Sequence, residues 1–372
     1  MRILHIINTL DGGGAEKILV DMAIRQKEHH EVEVLLLTRS NLQTYIQTLA
    51  DHGIPIHVLR PLKPGVIFKV AALARRLKRG RYSVVHAHLF PSQYYLAAAR
   101  IFINNSGMRF ITTEHSTNNR RRAFLFLKPV EQWVFNSYDA VVCISKQAEE
   151  SLRSHTGDYT SRILTINNGV DIHRYHAAVP ANIRQLFPAL TPEKKIMMMV
   201  GRFAAVKNQQ TLIRAAALLP HNTVVVFVGV GETQEECETL AKELNIADRI
   251  IFAGFRNNIP ELLKASDIAV LSSHWEGMPL AALEAMAAGK ALVASDVNGV
   301  SEVVGGAGIL FENNNAQQLA EIITRLLDNP GLKQEVEARC LERSAMYDIQ
   351  QTIEQYEQVY SGSNFHIPVT AT

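Results

Sequence analysis

Residues 276–289 read Glu276-Gly277-Met278-Pro279-Leu280-Ala281-Ala282-Leu283-Glu284-Ala285-Met286-Ala287-Ala288-Gly289. Two carboxylates stand eight positions apart, with a glycine, a proline and an apolar helical run between them. Proline fits the first turn of a helix, where its missing N–H had no partner to lose. The run therefore predicts a helix starting at Pro279, with Glu276 in the loop before it and Glu284 inside it. At 1.5 Å of rise per residue the two carboxylates are roughly 10 Å apart along the axis. That gap suits neither a shared proton nor a shared metal ion. It suits the two ends of one long polar ligand, with the N–H groups and dipole of the helix start favouring a phosphate between them.

Outward from this stretch, short apolar β-branched runs alternate with helical patterns. On its own side of the chain the runs are Ile196–Val200, Val224–Val228, Ile250–Ala253, Ile268–Leu271, Ala291–Ala294 and Ile309–Phe311. An earlier series comprises Ile3–Ile7, Val32–Leu37, Ile56–Leu59, Val84–Ala87, Phe110–Thr112, Ala140–Ile144 and Ile163–Ile166. Strands alternating with helices imply right-handed βαβ crossovers and doubly wound parallel sheets. A chain of 372 residues exceeds one typical core, so two domains are expected. The division predicted is 1–175 for the first domain and 193–347 for the second. The linker falls at 176–192, which carries Pro180, Pro188 and Pro192 without a strand pattern. Residues 361–372 read as a loose tail.

Other motifs fall in order along the chain: Gly12-Gly13-Gly14-Ala15-Glu16 after the first strand, Thr113-Glu114-His115, Asn167-Asn168-Gly169-Val170-Asp171, Val200-Gly201-Arg202 with Lys207-Asn208, and Val228-Gly229-Val230-Gly231. Together with Glu276-x7-Glu284 they resemble glycosyltransferase family 4, the retaining nucleotide-sugar enzymes of the GT-B fold. The resemblance runs from about residue 2 to about residue 311. It implies an α/β GT-B architecture, two Rossmann-like doubly wound domains facing across a cleft. The first would bind the acceptor and the second the nucleotide sugar, with helix 348–360 returning to the first domain.

The same resemblance implies the site. Arg202 and Lys207 would hold the donor diphosphate, a fixed guanidinium and an ammonium stabilising the charge that develops on the leaving group. Glu276 would bond the donor sugar hydroxyls and Glu284 the ribose, since carboxylates accept from vicinal diols. The Gly277, Met278 and Leu280 amides would meet the phosphates, and Gly254 and Phe255 would lie near the base. His115 would contact the transferring sugar. Gly13 and Gly14 would let the backbone approach the diphosphate from the first domain. The activity implied is retaining transfer of a hexose or N-acetylhexosamine, uridine-linked by family frequency, to a lipid-linked or glycan acceptor. GDP-mannose is the alternative donor. A nucleotide-sugar 2-epimerase and a non-catalytic accessory protein are the rival readings.

No cofactor is expected. No Asp-x-Asp follows a strand to hold a divalent ion, and His86 with His88 supply only two ligands, better read as core or cleft-lining residues. Cys143, Cys237 and Cys340 are too widely spaced for a metal or disulfide framework and fit a reducing cytoplasm. Net charge is only +2, yet residues 1–172 hold 22 Lys+Arg against 14 Asp+Glu, while the remainder holds 16 against 22. Arg75, Arg76 and Arg79 close a helical pattern whose apolar face reads Val66, Val70, Leu73, Leu77. Arg120, Arg121 and Arg122 precede Phe124. Basic residues beside aromatics suit an acceptor-binding or anionic membrane surface on the inner face of the plasma membrane. No nucleic-acid motif accompanies the charge. Oligomeric state is not legible.

Overall fold

A computed structural model of the chain describes residues 1–103, 107–115, 125–157, 162–188 and 190–362. The chain divides into two compact units, residues 1–168 with 350–372, and residues 169–349. Each is built on one parallel sheet.

In the first unit the strands are β1 (Arg2–Ile7), β2 (Glu31–Leu36), β3 (Ile56–Val58), β4 (Val84–His88), β5 (Arg109–Glu114), β6 (Ala140–Cys143) and β7 (Ile163–Thr165), ordered 3-2-1-4-5-6-7. In the second they are β8 (Lys195–Val200), β9 (Thr223–Val228), β10 (Ile250–Phe252), β11 (Ile268–Leu271), β12 (Ala291–Ser295) and β13 (Ile309–Phe311), ordered 10-9-8-11-12-13. All thirteen fall on the apolar runs named above. Helices cover both faces of such sheets, so the strands read as continuous apolar runs, and the middles of β1, β8 and β9 are almost wholly buried. Strand order reverses between β1 and β4, and again between β8 and β11. Ligands of open α/β sheets bind beyond the carboxyl ends of strands at such reversals.

Residues 350–362 belong to the first unit. Helix Ile349–Ser361 buries Ile353, Tyr356, Val359 and Tyr360. The Tyr360 hydroxyl meets His86 Nδ1 at 2.7 Å, and Tyr356 meets Thr113 Oγ1 at 3.0 Å. His30 anchors the same helix through Glu357 Oε1 at 3.0 Å.

Three expectations need correcting. The segment 176–192 packs inside the second unit: Ala181 donates its N–H to Glu261 O, and Ile183 and Leu190 are buried. Its prolines interrupt helices (Ile172–Ala177, Ile183–Leu186) without freeing the chain. On helix Val66–Gly80 the buried stripe is Val70, Leu73, Ala74 and Leu77, while Val66 is 64% exposed at the first position. Helix Leu280–Ala287 starts one residue later than predicted, with Pro279 as its N-cap at ψ 81°. Of the tail, residues from 363 onward lie outside the described residues.

Candidate functional site

The second unit gathers its polar residues at the reversal between β8 and β11. β8 ends at Val200, and Gly201 and Arg202 follow directly, with Arg202 exposed. The chain then makes a 3-10 turn, Ala205–Lys207, and Asn208 adopts the left-handed conformation (φ 49°) before helix Gln209–Leu218. Lys207 therefore closes a turn rather than opening the helix. The buried Gln209 side chain donates to Arg202 O at 2.9 Å, tying the helix start back to the loop.

Across the reversal, Ser272 and Ser273 extend β11. Ser272 Oγ donates to Asn208 O at 2.8 Å, and the His274 N–H donates to Val206 O. These bonds place the Lys207 turn beside the β11 loop. Lys207 Nζ lies 2.6 Å from Glu276 Oε1, and Ser273 Oγ donates to that same oxygen at 2.6 Å. Ser273 is itself held by Ser295 from β12, whose hydroxyl donates to Ser273 O at 2.5 Å. The Glu276 N–H donates to Asn298 O. Both side-chain bonds recorded for Glu276 fall on Oε1, leaving Oε2 as an acceptor. Ser272, Ser273 and Ser295 are fully buried and were missed from sequence. Their signal was hydroxyl residues at the carboxyl ends of two otherwise apolar strands.

Glu284 sits in the middle of its helix and is only 5% exposed, so it is no solvent-facing residue. Gly277 and Met278 precede the helix, with Met278 nearly buried. The Leu280 N–H is committed to Met278 O at 3.0 Å, which removes it from the set of open donors expected at this helix start.

The Gly229 and Gly231 pattern has a packing cause. A Cβ on Gly229 would fall 2.1 Å from Gly201 O, and one on Gly231 2.1 Å from Phe203 O. Backbone bonds Gly201 N to Val228 O, Phe203 N to Val230 O and Gly229 N to Gly254 O join the loops after β8, β9 and β10. Gly254 itself has φ +69°, and Phe255 follows it half-buried.

In the first unit, Gly13 is the N-cap of helix Gly14–Gln26, directly after β1 and at the β1/β4 reversal. His115 follows β5, and among the described residues neither of its ring nitrogens has a hydrogen-bond partner although both are shielded from solvent. Burial lowers its imidazole to about 4. Arg120, Arg121, Arg122 and Phe124 lie outside the described residues. Arg75 and Arg79 are exposed, but Arg76 is tied to Glu33 Oε2 at 2.7 Å and is not a free surface cation.

His5 joins His86 and His88 in one fully buried cluster whose ligating atoms lie within 4.8 Å of one another, the spacing of a metal site. Five of its six ring nitrogens are already hydrogen-bonded. His5 meets Gln26 Oε1 at 2.8 Å and His88 Nε2 at 3.0 Å, and His86 meets Tyr360 and Thr113 at 2.7 Å each. Among the described residues, His88 Nδ1 is the ring nitrogen of the cluster without a hydrogen-bond partner. Burial pushes all three imidazoles down, His5 to about 4 and the others well below their ordinary value. The three rings are packed and hydrogen-bonded into the core of the first unit.

Comparison with known proteins accords with this arrangement. The family described as "Glycosyltransferase Family 4" matches residues 12–174, and that described as "Glycosyl transferases group 1" matches residues 184–343. The chain is 28% identical over 272 residues to the UDP-Gal:alpha-D-GlcNAc-diphosphoundecaprenol alpha-1,3-galactosyltransferase of Escherichia coli, covering 69% of this chain and 70% of that protein. It is 27% identical to the putative glycosyltransferase EpsD of Bacillus subtilis, covering 78% and 80%. Among solved structures, HepE of Anabaena in complex with UDP and glucose superposes with a TM-score of 0.85 at 22% identity, covering 97% of this chain and all of that one. That likeness shows the two-domain GT-B fold.

Proposed function

Because the chain belongs to glycosyltransferase family 4, we propose that it transfers a hexose or N-acetylhexosamine, with retention of configuration and without a metal ion, from a UDP-linked donor to a lipid-linked or glycan acceptor in the synthesis of a cell-surface polysaccharide or glycolipid. One observation carries the reading. The Lys207 ammonium and the Glu276 carboxylate stand 2.6 Å apart at the strand-order reversal of the second unit. In a nucleotide sugar the transferring ring hangs directly on the distal phosphate. A cation for the phosphate and a carboxylate for the ring hydroxyls must therefore be neighbours, as these two are.

As the sugar–phosphate bond breaks, negative charge grows on the departing diphosphate. Lys207, only 22% exposed, and Arg202 are the groups suited to meet that charge, and partial exclusion of water strengthens the attraction. Glu276 Oε2 accepts from the sugar hydroxyls while Ser273 fixes the orientation of the carboxyl group. Glu284, buried on its helix, takes the ribose. Retention in glycosidases rests on two carboxyl groups about 5 Å apart. Glu276 and Glu284, separated by two helical turns of sequence, do not suit that role. Front-face transfer, with the leaving phosphate taking the acceptor proton, fits better.

The names of two similar proteins support the choice of donor and acceptor: one uses UDP-galactose and a diphosphoundecaprenol acceptor, and the other was solved with UDP and glucose. A peripheral membrane role for the first unit is supported by Leu62, Val66 and Ile67, which are 79%, 64% and 80% exposed beside Lys63 and Lys69. No helix among the described residues is long and apolar enough to cross a membrane. The deciding experiment measures UDP release from UDP-sugars with and without a polyprenyl-diphosphate sugar acceptor. Acceptor-dependent release with an α-configured product by NMR is expected; an inverted product refutes retention.

A further inference from the structure

Helix Val66–Gly80 carries two stripes. Val70, Leu73, Ala74 and Leu77 are buried. Ala72, Arg75, Arg76 and Arg79, at i, i+3, i+4 and i+7, form the neighbouring stripe and line a cavity of about 810 Å³. Its other walls come from β3 with Leu59 and Arg60 after it, from Glu33 and Leu35 of β2, and from Arg2 and Tyr82 at the amino ends of β1 and β4.

Five guanidinium groups line this cavity (Arg2, Arg60, Arg75, Arg76 and Arg79), against the single carboxylate of Glu33. Glu33 already accepts three hydrogen bonds. Arg2 Nη2 donates to one oxygen at 2.7 Å, and Arg76 Nη2 and the Tyr82 hydroxyl donate to the other at 2.7 and 2.9 Å. Burial alone would push its carboxyl up, but the bonds from Arg2 and Tyr82 and the charge of Arg76 hold it below its ordinary value. His57, 3.5 Å from Glu33, is pushed down by burial and by Arg76. Glu31 reaches Arg2 Nε at 3.8 Å from outside the lining. Among the described residues, Arg60, Arg75 and Arg79 make no ion pair, so the cavity holds a surplus of positive charge over an organised floor.

The walls are not wholly polar. Ile56, Val58 and Leu59 stand beside the arginines. The volume is that of a small-molecule site. Guanidinium forks match phosphate oxygens bidentately, which distinguishes this lining from a scatter of lysines. Gly13, Gly14 and His115, which follow the carboxyl ends of β1 and β5, are not among the cavity's described lining residues.

The geometry points to a second anion site in the first unit: a groove that binds the phosphate group of a phosphate ester through Arg60, Arg75 and Arg79, with the organic part of the ester against Ile56, Val58 and Leu59. The site does not depend on the transfer chemistry proposed above. The ester is either a soluble metabolite or the headgroup of an anionic lipid.

Titration calorimetry with phenyl phosphate in saturating UDP, which fills any nucleotide site, tests it. Arg75→Ala/Arg79→Ala is compared with Lys27→Ala/Lys78→Ala, which removes the same charge from exposed positions outside the groove. Thermal melts check that both variants fold. Loss of two charge-assisted contacts should weaken binding roughly tenfold or more in the first variant and leave the second unchanged. The second arm is sedimentation with phosphatidylcholine vesicles with and without phosphatidic acid. Binding to phosphatidic acid that is lost in the arginine variant alone supports the same groove with a lipid as its source, even if phenyl phosphate does not bind. Failure of both probes, or equal loss in both variants, overturns the proposal.

Discussion

Lys207 Nζ and Glu276 Oε1 are 2.6 Å apart although 69 residues separate them in sequence. The contact joins the loops after β8 and β11, neighbours in the sheet but not in the chain. Lys207→Ala removes the cation and leaves Glu276 with Ser273 as its recorded partner. The expected outcome is a loss of about 10²–10³ in transfer rate, by analogy with removal of one transition-state donor, with little change in fold. Steady-state assay of UDP release and a thermal melt separate the two effects. A variant that retains full turnover would exclude Lys207 from the site.

Ser273→Ala tests the orientation of that carboxylate separately. It deletes one donor to Glu276 Oε1 but keeps Lys207. Loss of one hydrogen bond to a charged group costs about 1.5–3 kcal/mol. The loss should appear in kcat/KM for the sugar donor, with affinity for UDP alone preserved.

The architecture was legible because parallel strands covered on both faces must be apolar throughout, which is why Ile196–Val200 and Val224–Val228 stand out in the sequence. Of the candidate site, Lys207 and Glu276 stood out as charged residues in loops after apolar strands, and those two meet. Ser272, Ser273 and Ser295 did not, because a serine after a strand is equally consistent with an ordinary turn; only the sheet order shows that they meet. His5 was invisible as a neighbour of His86 and His88 for the same reason, since His5 on β1 and His86 on β4 are 81 residues apart in sequence yet opposite each other in register. The stretch 176–192 misled because proline density marks broken helices as readily as a free connection.

Gly231→Ala should damage the second unit although it alters no charged group. The new Cβ would fall 2.1 Å from Phe203 O, a backbone atom with no means of retreat. Overpacking of this kind costs typically 1–3 kcal/mol, occasionally more. A lower denaturation midpoint together with weakened UDP binding is the expected result, read by urea titration and calorimetry.

Acid should loosen the first unit before most carboxylates titrate. His5, His86 and His88 are held neutral by burial, His5 down to about 4, whereas in an unfolded chain they take up protons near 6.5. The unfolded state then binds more protons, so stability is whole above pH 6.5 and is lost as pH falls from there towards about 4. The slope is about 1.4 kcal/mol per pH unit for each histidine in that window. Chemical denaturation at several pH values measures it, and His5→Gln should flatten the dependence.

Tyr360→Phe should cost about 1–3 kcal/mol, because His86 Nδ1 loses its 2.7 Å partner in a site closed to water. The loss should appear in the unfolding of the first unit, with hydrogen exchange in β4 and β5 rising and that in β8 and β9 unchanged.

The first unit is closed by residues that follow the second unit in the chain. Tyr356 and Tyr360 reach His86 and Thr113 only after the whole second unit has been synthesised. A nascent chain therefore carries an incomplete amino-terminal half past its finished carboxyl-terminal one. A translation stop placed just ahead of Ile349 would release a molecule in which the later-made unit is intact and the earlier-made one has lost its closing helix.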